Sequence, residues 1–200
     1  MNQKLFHAAT LWTVCAFWAG TAGVSCAADK AETPVSPAKH GQNIEIQMEY
    51  LDGRYFKERD IDLYNLHLYR QYRKVHHVSL HYGLTVERAV GATTEQGIRR
   101  DSQAVGLGPS YMVRWEKDWS SKWSGSIDGT GSVLAYNHAH PAGGRAFGFL
   151  WRIGPRFTYH CNGADSISLA YLFHHSSNGF NSHNPGYNGV GFSLGFAHRF

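Results

Sequence analysis

From Asn43 onward, apolar and polar residues alternate with a period of two, interrupted at intervals by turn-forming residues. Side chains two apart on a strand share a face, so this alternation predicts strands that each carry one apolar face. The first run sets Ile44, Ile46, Met48 and Tyr50 against Glu45, Gln47 and Glu49. A second, from Ile61 to Tyr72, alternates less cleanly through Leu63, Leu66, Leu68 and Tyr69. The third runs from Val75 to Val90. After a charged turn from Glu95 to Asp101 come a fourth run, Ala104 to Trp115, and a fifth, Trp119 to Tyr136. A Pro/Gly loop over His138 to Gly144 precedes the sixth, Ala146 to His160, and Asn162-Gly163 is a tight-turn signal into the seventh, Ser166 to Ser177. The eighth covers Asn188 to Phe200, and helical periodicity is sustained nowhere.

Composition turns this strand count into a fold. The chain holds 22 Gly, 11 Phe, 11 Tyr and 6 Trp, yet its mean hydropathy is only −0.38. A transmembrane β-barrel has this profile, because its polar lumen-facing half dilutes the apolar signal of the lipid-facing half. The expected fold is therefore all-β, an eight-stranded antiparallel transmembrane β-barrel of the outer membrane. Trp115, Trp119, Trp123 and Trp151 fall near predicted strand ends, as girdle residues do. The terminal aromatic, Phe200, closes the last strand as in outer-membrane barrels. These features weigh against a secreted β-sandwich. A formal charge of +4 suits a surface meeting phosphorylated lipid, and the basic residues are not clustered enough for nucleic acid.

The N-terminus reads as a processing signal. Lys4 precedes an uncharged, mostly apolar stretch from Leu5 to Val24, and Ser25-Cys26-Ala27 fits a small-x-small cleavage site. Residues 1–27 are thus expected to be a signal peptide and 28–42 a flexible polar lead-in, with the barrel occupying 43–200. Gly23-Val24-Ser25 makes a poor lipobox before Cys26. Cys15 and Cys26 leave with the leader, so Cys161 is the one cysteine of the expected mature chain and no internal disulfide is expected.

One place on these strands carries chemistry. His175 and Ser177 continue the face of Ile167, Leu169, Tyr171 and Phe173, where a polar pair is out of place. On the last strand the face of Phe192 and Leu194 extends back through Val190 to Asn188, which a short hairpin sets beside His175, while Tyr187 points the other way. A Ser–His pair oriented by a third polar group is the general arrangement of an activated nucleophile. Polar groups on the lipid face are costly, up to ~2–4 kcal/mol for basic residues at the midplane and less near the interface. An interfacial lipid ester, approached sideways within the membrane, is a reason to place them there.

The segments His175-x-Ser177-Asn178-Gly179 and Asn184-Pro185-Gly186-x-Asn188, with the terminal aromatic, resemble the lipid A 3-O-deacylase (PagL) family. Gly106-Leu107-Gly108-Pro109 is similar to that family's mid-chain pattern. The resemblance implies an eight-stranded outer-membrane barrel and a serine esterase that removes the acyl chain at position 3 of lipid A. It further implies Ser177 as nucleophile, His175 as base, and Asn178 with the Gly179 backbone as the oxyanion site. The chain departs from the family at the third triad position, where Asn188 stands in place of a Glu, and no Asp or Glu occurs from Ser166 to Phe200. An amide fixes the imidazole tautomer but does not stabilise an imidazolium as a carboxylate does. Glu45 and Glu49 alternate away from the apolar face of their strand, towards the lumen.

The remaining polar groups read more plainly. His76, His77 and His81 are expected to be rim and lumen residues, with no metal or other cofactor required. His174 is expected to face the lumen, and His183 lies in the last hairpin. Arg99-Arg100 is read as a solvated turn, placed on the periplasmic side by strand count. Gly106-x-Gly108 is a strand pair with no phosphate-binding helix after it. The expected partners are lipopolysaccharide as substrate and outer-membrane lipid, with no nucleic acid, and a homodimer is left open. Two functions are carried forward: an outer-membrane lipid A esterase, and a non-catalytic, lipid-binding or structural barrel that has lost the triad acid.

Overall fold

The computed structural model describes residues 43–54, 59–179 and 184–200. The expected signal peptide and lead-in lie outside the described residues, as does His183. Nine strands form one antiparallel sheet: β1 Asn43–Asp52, β2 Arg59–Val75, β3 Val78–Glu95, β4 Ile98–Asp101, β5 Ala104–Asp118, β6 Trp123–His140, β7 Arg145–His160, β8 Asp165–Ser177 and β9 Tyr187–Arg199. Eight of them close into a barrel in the order β1, β2, β3, β5, β6, β7, β8, β9, with β9 returning to β1. The short β4 pairs with β3 alone and prolongs its hairpin beyond the barrel wall. It occupies part of the segment expected to be a charged turn, because β3 runs on to Glu95 and Gln96-Gly97 closes a two-residue turn. Likewise the loop expected over His138 to Gly144 is shorter, since β6 continues to His140 and pairs there with Arg145.

Side chains alternate between the two surfaces with few breaks. Outward positions such as Leu66, Leu84, Leu107, Phe157, Leu169 and Phe192 form an exposed apolar surface, which in water would be unsupportable and in a bilayer is the expected solvation. Among the described residues no helix is long and apolar enough to cross a membrane; the apolar outer face of the closed barrel is the surface a bilayer would solvate. The protein is an outer-membrane β-barrel. The irregular alternation of β2 has a simple cause. Ile61, Leu63 and Tyr69 face inward and Leu66 and Leu68 outward, so both faces carry apolar residues.

The interior is filled, in two halves. Near the end that carries the chain's first and last strand residues, Arg114 bridges Glu45 (2.9 Å) and Asp128 (2.8 Å), and Arg156 reaches Asp128 at 2.7 Å. Midway, Arg152 meets Glu49 at 2.9 Å, and His67 bonds Thr85 at 2.8 Å. Buried charges persist only when paired in this way. Glu45 and Glu49 thus face the lumen, as their alternation indicated. The far half combines apolar side chains, Leu51, Ile61, Leu63, Leu134, Leu150 and Leu172, with buried polar pairs: the Tyr136 hydroxyl donates to Glu87 at 2.8 Å, and Tyr187 bonds His140.

The antiparallel order places four connections at this far end: β1 to β2, β3 through β4 to β5, β6 to β7, and β8 to β9. Arg99 and Arg100 therefore lie on the same side as the β8–β9 connection. This corrects the strand-count expectation that set them on the opposite side: the third connection of an up-and-down barrel returns to the side of the first. Arg99 lies 4.0 Å from Asp60.

Candidate functional site

β8 and β9 pair so that His175 stands directly opposite Asn188, with Ser176 opposite Tyr187. The imidazole Nδ1 lies 2.6 Å from the Asn188 Oδ1, within hydrogen-bonding distance. An amide oxygen only accepts, so Nδ1 carries the proton and Nε2 is left as the basic nitrogen. No β-bulge disturbs this stretch, and period-two reading places both groups correctly. Tyr187 points inward, where its hydroxyl bonds the Nε2 of His140 at 2.8 Å.

Ser177 ends β8 opposite Phe149 of β7 and is only 8% exposed. It lies on the His175 side of the strand but is covered, whereas Leu169 and Tyr171 lower on that face are open. Gly186 provides part of the cover. A methyl group built on it would sit 3.2 Å from the His175 Cε1 and 3.4 Å from the Ser177 Cβ. The base and the nucleophile thus line one space beside Gly186. Among the described residues no hydrogen bond joins the Ser177 hydroxyl to the imidazole.

Asn178 is fully buried, and its bonding sets its role. Its Nδ2 donates to the carbonyls of His140 (3.0 Å) and Phe147 (2.7 Å), and its Oδ1 accepts from the Arg145 N–H (3.3 Å). Its own backbone N–H donates to Asn184 Oδ1 at 2.9 Å. The expected oxyanion donor is in this structure an anchor that ties the end of β8 to the β6–β7 hairpin. Its protons are taken by backbone and loop. Gly179 follows with φ +48°, a left-handed conformation that disfavours other residues, and a Cβ there would lie 2.7 Å from the Phe149 ring.

Aromatic residues of β7 flank the pair. The Trp151 ring lies 5.6 Å from that of His175, inclined at 36°, and 5.6 Å from Phe173. Trp151 sits inside β7 rather than near a strand end, in contrast to the exposed Trp115, Trp119 and Trp123 at the opposite end. Arg59, unremarkable in the sequence, donates from Nη1 to the Gly186 carbonyl at 2.5 Å across 127 residues of chain. Period-two reasoning carries no signal for a contact of that kind.

Among the described residues the other histidines form no centre together. His77 bonds the Glu116 carbonyl, His81 bonds Ser79, and His174 is enclosed in the lumen. Glu116, Asp118 and His160 do converge, at the opposite end, where Glu116 already holds Lys74 (3.2 Å) and Ser124 (3.0 Å).

No protein-family model and no curated protein matches this chain. Solved structures do. The outer membrane protein OprG from Pseudomonas aeruginosa is 9% identical with a TM-score of 0.51, covering 80% of this chain and 96% of its own. Neisserial surface protein A is 10% identical with a TM-score of 0.49, covering 80% and 96%. The outer membrane enzyme PagL is 15% identical with a TM-score of 0.46, covering 78% and 99%. At such identities the likeness is one of fold, and that shared fold is the eight-stranded outer-membrane barrel.

Proposed function

We propose that this barrel is a serine esterase of outer-leaflet lipid, acting on the 3-O-linked acyl chain of lipid A. The carrying observation is the His175 Nδ1 to Asn188 Oδ1 contact at 2.6 Å, which leaves Nε2 basic beside the space shared with Ser177. The sequence resemblance of the last hairpin supports the substrate class. With both termini periplasmic, the far end of the barrel meets the outer leaflet, where lipid A resides.

In this reading the Ser177 Oγ attacks the ester carbonyl while its proton passes to His175 Nε2. The tetrahedral oxyanion is met by the Gly179 backbone N–H, which the Asn178 anchor holds in place. Collapse breaks the bond to the sugar oxygen, and the imidazolium returns the proton to that oxygen. Water then attacks the acyl-serine, His175 again takes and returns a proton, and a free fatty acid leaves. A Ser177–His175 hydrogen bond forms with substrate bound, as catalytic contacts tighten in the reactive complex.

The second reading is a non-catalytic lipid-binding barrel, favoured by the absence of any described carboxylate bonded to His175 or Asn188. Mass spectrometry of lipid A from a Gram-negative host expressing the parent or Ser177→Ala separates the two. Loss of one ester-linked hydroxyacyl chain with the parent alone supports the esterase. Identical lipid A from both, with each barrel folded and heat-modifiable, supports the binding protein.

A further inference from the structure

The end of β1 lies against β9 on the side away from His175. Asp52 pairs with Val190, two residues beyond Asn188 on the same outward face, so Asp52 and Asn188 are diagonal neighbours. Diagonal pairs on adjacent strands have Cβ atoms up to about 7–8 Å apart, so the two side chains share one stretch of the outer wall. No hydrogen bond joins them in this structure, and each turns a polar atom to that stretch without a described partner. The backbones of the two strands approach closely here: a Cβ on the intervening Gly189 would fall 1.9 Å from the Asp52 carbonyl oxygen.

We propose that Asp52 is a positioning residue for the esterase chemistry, acting through the Asn188 carboxamide on His175; this rests on the esterase reading above. The His175 N–H takes the Asn188 Oδ1 on the β8 side, which turns the amide Nδ2 away from β8. Asp52 is the carboxylate on the β1 side. Its Oδ1 accepts the Arg54 backbone N–H at 3.0 Å and pairs with the Arg54 Nε at 3.1 Å, and among the described residues its Oδ2 has no partner. The Arg54 guanidinium is shared with Asp60 (3.7 Å) and Asp62 (3.6 Å), so it does not neutralise this edge. A carboxylate accepting from the Asn188 Nδ2 polarises the amide and strengthens Oδ1 as an acceptor, because hydrogen bonds in a chain reinforce one another. The negative charge missing from position 188 is thereby supplied from one strand further on. No proton reaches Asp52; it remains on the imidazole until the leaving oxygen takes it.

The test uses purified, folded full-length barrel, with two readouts: the rate at which a small fluorophosphonate labels Ser177, and kcat and KM for deacylation of purified lipid A. Asp52→Asn is expected to lower the labelling rate and kcat about tenfold with KM unchanged, a weaker effect than direct loss of a triad acid. Asp52→Glu restores most of both. In an Asn188→Glu background, where the acid sits beside His175 itself, Asp52→Asn has no further effect. Equal rates for parent and Asp52→Asn overturn the proposal while leaving the esterase intact, and so does an equal loss in the Asn188→Glu background, which marks a merely structural role. Absence of Ser177 labelling in both the parent and Asn188→Glu overturns the esterase reading and this proposal with it.

Discussion

His175 and Asn188 face each other directly across β8 and β9, with the ring nitrogen 2.6 Å from the amide oxygen. A carboxylate at position 188 would keep that acceptor and add the charge that stabilises an imidazolium. Asn188→Glu is therefore expected to raise the deacylation rate about tenfold. Asn188→Leu, which keeps the volume and removes the acceptor, should lower it by a similar factor. Lipid A turnover by the purified variants decides this, and a slower Asn188→Glu enzyme would count against His175 as the base.

Asn178 makes a different prediction. Its replacement by Ala orphans the carbonyls of His140 and Phe147, at about 1–3 kcal/mol for each unsatisfied buried group. The temperature of heat modification on gels should drop along with activity. An oxyanion donor would behave otherwise, losing activity at unchanged stability.

Gly179→Ala should separate site from scaffold. The new methyl meets Phe149 at a left-handed backbone, a strain of about 1–3 kcal/mol. The strain falls at the end of a strand already outside the paired ladder. Deacylation should fall roughly tenfold or more, with the heat-modification temperature lowered less than by Asn178→Ala because the segment can relax locally. Unchanged activity would remove the Gly179 N–H from the oxyanion site.

Arg114→Ala tests the lumen. It leaves Glu45 and Asp128 buried against each other with one fewer cation, and breaking a buried pair on one side costs roughly 3–5 kcal/mol. A large fall in urea or thermal stability is expected. Ser177 labelling of the fraction that remains folded should be unaffected, because the ion pairs lie in the half of the barrel away from the site.

Much of this was legible in the chain. The eight barrel strands and the facing of His175, Ser177 and Asn188 follow from a period of two. That period also sends Glu45 and Glu49 inward, so neither can replace the missing acid. What the period does not encode is tertiary. Arg114 and Glu45 stand 69 residues apart and Arg152 and Glu49 stand 103 apart, each merely a polar residue at an inward position until the sheet closes. Asn178 looks like an oxyanion donor because its carbonyl partners, His140 and Phe147, are brought to it only by the β6–β7 hairpin. The β4 strand was hidden for a local reason: its four residues are all exposed, so no burial pattern marks it.

The packed lumen bears on the membrane as much as on the protein. Guanidinium groups paired across the bore in its lower half, and packed leucines, tyrosines and histidines in its upper half, fill the lumen of the described barrel with buried side chains. Such a molecule should be electrically silent in a planar bilayer. Cells producing it in quantity should retain their permeability barrier to small hydrophilic antibiotics. Whatever it does is done from the outer wall, with the membrane beside it as the medium of access and the bore serving only as a keel.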